Sequence, residues 1–186
     1  MVKILALLGM PGSGKSVAAK YLNDNFGFPV IRLGELTERT LKEQDLELNE
    51  QNERFVREEL RREHGMGVFA KLNMPLIEKA SKNSAVVVID GLYSTEEYKY
   101  FISEFGDDLV TVAIYASPKI RYARLKKRKI RPLDEKEARV RDFAEIENSS
   151  KGGPIAMAGH TIINTGIIDA LKRELSDIVD EINENS

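Results

Sequence analysis

The segment Gly9-Met10-Pro11-Gly12-Ser13-Gly14-Lys15-Ser16 fits the pattern G-x-x-x-x-G-K-[ST] and follows directly on the apolar run 3–8. Glycines at 9 and 14 let the chain curl tightly, turning successive backbone N–H groups inward onto an anion. Lys15 adds a point charge that reaches the β- and γ-phosphates of a nucleotide, and the Ser16 hydroxyl is placed to ligate Mg²⁺. A helix starting at Lys15 would aim the positive end of its dipole at the same anion. A chance match in such a chain is on the order of one in a hundred, and the strand before and helix after lower that further. Residues 9–16 therefore predict a site for ATP or GTP with Mg²⁺.

The rest of the chain alternates strand and helix signals. Residues 15–25 read as a helix with Val17, Ala18, Tyr21 and Leu22 on one face, and 28–33 as a short strand. From 34 to 82 there is no strand signal. Asn49 caps a helix running to Arg62 before Gly65 and Gly67, and a further helical run extends from Val68 to Ala80, where Pro75 predicts a kink or break. The β-branched run 85–90, ending at Asp90, is the clearest strand. A helix over 94–105, a strand over 109–115 and a helix from Pro118 to about Lys129 follow. Asp134 with Glu137 is a capping-box signature for a helix to about Asn148. Lys151-Gly152-Gly153-Pro154 reads as a breaker, 161–164 as a last strand and 167–182 as a terminal amphipathic helix.

Five strands alternating with helices predict an α/β fold with a parallel sheet covered on both faces. One domain over 1–186 is expected, with a helical insertion at 34–82 and a charged segment at 129–155. Such sheets keep their ligands at the carboxyl ends of the strands. A net charge of −2 argues against a general nucleic-acid or membrane binder. The lack of cysteine removes disulfides and thiolate metal sites. Residues 1–8 are too short for a secretory signal, and no run of about 20 apolar residues occurs, so a soluble cytoplasmic protein is expected.

Lys119, Arg121, Arg124, Lys126, Lys127, Arg128, Lys129 and Arg131 fall together with no acidic residue among them. Lys126, Lys127 and Lys129 read as a solvated helix face. Arginines bind phosphate oxygens bidentately and keep their charge, which makes Arg124, Arg128, Arg131, Arg139 and Arg141 candidates for a phosphate clamp. His64 and His160 are far apart and read as structural. Ser13 has no nearby base, and Asp142, Glu145 and Glu147 read as solvated or salt-bridging.

In this order the features resemble the nucleoside monophosphate kinase group of P-loop proteins, which includes adenylate kinases and, more distantly, dephospho-CoA kinases. The resemblance rests on the phosphate loop, Gly34-Glu35 after the second strand, Asp90-Gly91 after the third, Ala116-Ser117-Pro118 with Arg124 and Arg128, and Asn164-Thr165-Gly166. It is similar also to archaeal predicted nucleotide kinases. It implies a three-layer P-loop NTPase fold in which the insertion binds the acceptor and 129–155 forms a short mobile lid. Lys15, Arg128, Arg131 and Arg139 would be catalytic. Gly9, Met10, Pro11, Gly12, Ser13, Gly14, Lys15, Ser16, Arg124 and Asn164 would hold the nucleotide. Ser16 and Asp90 would hold Mg²⁺, and Glu35, Arg39 and Asp90 would meet the acceptor.

Two departures separate the chain from true adenylate kinases. Glu38 stands where they carry an arginine, with Arg39 next door, and Leu92-Tyr93-Ser94 replaces an aromatic-proline-arginine run. The expected activity is an ATP- and Mg²⁺-dependent kinase acting on a small nucleotide-like acceptor, a nucleoside monophosphate or a dephospho-CoA-like compound. The alternatives are a regulatory ATPase or switch acting on a macromolecular partner, and a nucleic-acid-associated NTPase.

Overall fold

Alternation along the strands sets the layers. In β1 (Lys3–Leu8), Leu5 and Leu7 join one core while Ile4, Ala6 and Leu8 join another, as the two-residue period of a strand requires. In β3 (Val86–Asp90), Val86 and Val88 accompany the first set, Val87 and Ile89 the second. Both faces are thus apolar, and both are covered by helices. The structure, a computed structural model, describes residues 2–184. Met1, Asn185 and Ser186, part of the expected 1–186 domain, lie outside the described residues.

The remaining strands are β2 (Val30–Arg32), β4 (Leu109–Tyr115) and β5 (His160–Ile163). The sheet order is β2-β3-β1-β4-β5, and every pairing is parallel. On the Leu5 face, α1 (Lys15–Phe26) and α9 (Ile168–Glu184) contribute Leu22, Leu171, Leu175 and Val179. On the Ile4 face lie α2 (Glu35–Glu43), α4 (Val68–Ser81) and α5 (Thr95–Phe105), with Phe69, Ile77 and Phe101 fully buried. The three-layer α/β architecture is therefore as expected. Burying a side chain such as Phe69 or Phe101 contributes roughly 1.5–3 kcal/mol each.

Between β2 and β3 the chain is entirely helical, α2 being followed by α3 (Glu50–His64), then α4. Asn49 caps α3, its side chain accepting from the Asn52 amide at 2.9 Å. Between β4 and β5 lie α6 (Pro118–Lys126), α7 (Glu135–Glu147) and α8 (Gly152–Ala156). The capping box of Asp134 and Glu137 is present at the start of α7. A second capping box, Ser94 with Glu97, opens α5.

Several local expectations are corrected. Pro75 does not break α4, because it and Lys71, whose carbonyl it leaves without a helical donor, both lie on the solvent face. Leu72 and Leu76 face outward for the same reason. The buried stripe of α1 is Ala18, Ala19 and Leu22, and Val17 is exposed. The glycines and proline at 152–154 form a short helix, not a break, because Pro154 sits in its first turn, where a missing N–H costs little. β2 begins only at Val30, since Pro29 has no amide to donate and its carbonyl instead accepts from Val88.

Candidate active site

The loop between β1 and α1 owes its shape to left-handed glycines, with φ of 141° at Gly9, 80° at Gly12 and 116° at Gly14. A Cβ at Gly9 would lie 2.4 Å from the Ile114 carbonyl, and one at Gly14 would lie 2.2 Å from Asn164 Nδ2. Side chains are excluded there by space as well as by strain. The first-turn amides of α1, which have no carbonyl within the helix, face out of this loop. Lys15 Nζ donates to the carbonyls of Gly9 (2.8 Å) and Met10 (3.2 Å). Burial, together with the nearby Lys151 ammonium, lowers its pKa from 10.5 to about 7. A bound polyphosphate would reverse that destabilisation.

Ser16 Oγ donates to Asp90 Oδ2 across 3.4 Å, so hydroxyl and carboxylate meet at the carboxyl ends of β1 and β3. This pair fits Mg²⁺ held mostly by phosphate oxygens and water. Among the described residues no three His, Cys, Asp or Glu side chains form a cluster able to hold a metal alone.

Two arginines of α6 brace the loop from behind. Arg124 donates to the carbonyls of Ser13 (3.3 Å) and Asn164 (3.0 Å), and Asn164 Nδ2 donates to Ser13 O at 2.7 Å. Arg121 is buried and binds Asp142 of α7 bidentately at 2.9 and 2.6 Å while donating to the Pro11 carbonyl at 3.1 Å.

In front of the loop lies a cavity of about 340 Å³ walled by α3, α7 and the segment between α6 and α7. Nine cationic and seven acidic side chains line it, so it favours a multiply anionic occupant. Ion pairs tie its walls together. Glu50 of α3 accepts from Arg57 at 2.8 Å and from Arg141 of α7 at 3.0 Å. Arg131, at a φ of 54°, pairs with Glu53 and with Glu38. Lys151 is 1% exposed, pairs with Glu145 and lies 4.6 Å from the centre of the Tyr93 ring.

The expected site residues separate accordingly. Lys15, Ser16, Asp90, Arg128 and Arg131 line the cavity. Arg128 has no ion pair or hydrogen bond among the described residues, and burial disfavours its charge. Arg139 is not brought there: it lies on the outer face of α7, 64% exposed and 3.9 Å from Glu135. Glu35 and Arg39 also point away, whereas Thr37 and Glu38 of the same helix face inward. The sequence reading missed Arg32, which stands 4.0 Å from Asp90, and Arg57, Arg61 and Lys151. Arg54, Arg57 and Arg61 recur at helical spacing within a segment already expected to be α3, and that stripe was the available signal. Asp142 and Glu145 are salt-bridging, as expected, but buried rather than solvated.

Burial raises the Glu145 carboxyl, but Lys151 and Arg141 outweigh it and bring the pKa from 4.5 down to about 2. A depressed carboxylate contributes stability that is complete above pH 4.5 and is lost as pH falls through about 2. Glu145→Gln should therefore lower the melting temperature at pH 7 and flatten its decline between pH 4.5 and about 2. Melting curves across that range check this, and an unchanged slope would contradict it.

Fold and site together define a P-loop kinase-like nucleotide-binding domain. The chain belongs to the family described as AAA domain, whose profile matches residues 5–142, and within it to the UPF0200 proteins. A UPF0200 protein of Thermococcus kodakarensis is 35% identical over 182 residues, covering 96% of this chain and 97% of the relative. Among solved structures, TT1252 from Thermus thermophilus superposes with a TM-score of 0.66 at 21% identity, covering 97% of each chain. A gluconokinase from Sinorhizobium meliloti superposes with a TM-score of 0.61 at 14% identity, covering 99% of this chain and 97% of that one. At these identities the two structures speak to the fold. Among the described residues no helix is long and apolar enough to cross a membrane.

Proposed function

We propose that the protein is a small-molecule kinase that transfers the γ-phosphoryl group of ATP to a nucleotide-like acceptor. The observation that carries this reading is a single cavity joining the phosphate loop, with Lys15, Ser16 and Asp90, to a facing wall of α3 arginines. A switch protein needs the first half of that space. Only a transferase needs both halves within one enclosed volume. The fold shared with a gluconokinase supports transfer to a small molecule.

In this reading residues 34–82 hold the acceptor and 129–155 act as the lid, within one domain. The loop amides and Lys15 hold the β- and γ-phosphates, and Arg124 with Asn164 borders the base. Mg²⁺, held through Ser16 with Asp90 behind it, would supply positive charge against the phosphate oxygens. Arg128 meets the charge that spreads over the transferred group. An acceptor oxygen bonds to the γ-phosphorus, the bond to the β–γ bridging oxygen breaks, and ADP leaves. Closure of α7 over the cavity keeps water from taking the acceptor's place.

Screening nucleoside monophosphates and dephospho-CoA with Mg-ATP should reveal acceptor-dependent ADP release. Hydrolysis stimulated only by a macromolecule would assign the protein to the regulatory ATPases instead. Arg128→Ala should lower kcat about a hundredfold while changing the KM for ATP less than about threefold. A matching loss of ATP affinity would make Arg128 a ground-state anchor.

A further inference from the structure

Arg61 is a cation that the ion-pair network of the cavity leaves out. Along α3, Arg54 pairs with Glu58, Arg57 with Glu50 and Glu53, and Arg62 with Glu59. Arg61 has no salt bridge among the described residues, and its Nε is buried without a hydrogen-bond partner. Its guanidinium lies 5.3 Å from the centre of the Phe69 ring, which leaves the donor edge of the fork unused. The buried acid that acts on it electrostatically, Glu97, spends Oε2 on the amides of Tyr93 (2.6 Å) and Ser94 (3.3 Å). A half-buried charge without a counter-ion is costly. On a cavity wall, that cost falls when an anion arrives.

Tyr93 stands on the same wall. Its ring meets Phe69 edge-on at 6.3 Å, and Lys151 covers it from the other side. Two glycines make room for its hydroxyl. A Cβ at Gly91 would lie 2.7 Å from that oxygen and one at Gly34 would lie 3.1 Å from it. The hydroxyl thus sits beside the residue that follows Asp90, and it has no hydrogen-bond partner among the described residues. Burial, first of all, and the carboxylates of Asp90 and Glu145 keep the phenol protonated and able to donate.

We infer that Arg61 and the Tyr93 hydroxyl bind a phosphomonoester carried by the acceptor, so that the substrate receiving the phosphoryl group is already phosphorylated. The inference rests on the kinase reading and names the chemistry of its second substrate. A guanidinium fork matches two oxygens of a phosphate, a phenol donates to a third, and Phe69 fixes the plane of the fork. Arg57 and Arg141 are held by carboxylates, so Arg61 supplies the unneutralised charge on this wall.

The test fills the phosphate loop first. The full chain is saturated with Mg²⁺ and a nonhydrolysable ATP analogue, then titrated calorimetrically with inorganic phosphate, the four common ribonucleoside 5′-monophosphates, adenosine and gluconate. At least one monophosphate and inorganic phosphate should bind, while adenosine and gluconate should not. Arg61→Gln should weaken the phosphate-bearing probes at least about tenfold, a loss of ~1.4 kcal/mol, with the analogue's affinity held within about twofold. Tyr93→Phe should weaken them about threefold, and Arg61→Lys should retain more affinity than Arg61→Gln. Phosphate binding that survives Arg61→Gln overturns the inference, as does binding of gluconate in preference to every monophosphate. So does an Arg61→Gln variant that only melts earlier while Arg61→Lys binds like the parent. Failure of the analogue itself to bind would instead strike the kinase reading.

Discussion

Replacing Lys15 with alanine should lower kcat with ATP at least about a thousandfold and at the same time raise the melting temperature of the nucleotide-free protein. Both effects have one cause. The ammonium is held by two loop carbonyls, 2.8 and 3.2 Å away, in a place shaped for phosphate rather than for a cation alone. Burial and the charge of Lys151 lower its pKa to about 7, which states in proton terms that the charged form is disfavoured by folding. The sign follows directly. The folded protein releases this proton near pH 7 and the unfolded chain near 10.5, so the cost is complete below about pH 7 and fades as pH rises toward 10.5. The gain from Lys15→Ala should therefore be largest at or below pH 7 and vanish by about pH 10.5. Each kcal/mol recovered raises the melting temperature by roughly 2–4 °C in a chain of this size. Melting curves from pH 6 to 10.5 would refute this if the variant melts earlier, or if its advantage does not depend on pH. Unchanged turnover in Lys15→Ala would remove the phosphate loop from the reaction.

The parts of this site that could be read in advance are those whose chemistry is local in the chain. Gly9, Gly12 and Gly14 announce a loop that only glycine can form, and Asp90 ends an unbroken apolar strand. Arg32, Lys151 and the α3 arginines reach the cavity through packing between elements distant in sequence, which periodicity alone does not join. Arg139 shows an intermediate case. Ala138, Asp142, Glu145 and Ser149 form an inward stripe along and just beyond α7, and Arg141 lies on it. Arg139, two residues away on a helix, faces nearly opposite. The stripe was present in the sequence, but assigning its inner side required knowing what Asp142 was for. In α2 the same geometry turns Thr37 and Glu38 inward and Glu35 and Arg39 outward. There the polar composition of both faces hid the difference.

Asp142 is also the residue whose loss should cost the most stability. Its carboxylate receives both arms of Arg121 and the Tyr122 hydroxyl at 2.9 Å, and the side chains of the ion pair are 5% and 10% exposed. Asp142→Ala leaves a guanidinium buried without a counter-ion, a change expected to cost about 3–5 kcal/mol. That corresponds to a melting temperature lower by roughly 10 °C. The pair itself need not be stabilising, because two ions had to be desolvated to form it. Arg121→Met combined with Asp142→Leu should therefore recover most of what Asp142→Ala loses, and urea denaturation of the three variants measures the difference. The double variant should still bind ATP more weakly than the parent. Arg121 also donates to the Pro11 carbonyl and, through Nε, to Ala116 at 3.1 Å, so it fixes the phosphate loop against α6. A double variant as unstable as Asp142→Ala would mean that the loss comes from packing rather than from an unpaired charge. Recovered stability with weakened nucleotide binding would mean that this ion pair sets the position of the loop, and that α7 approaches the cavity from an anchored base rather than as a free flap.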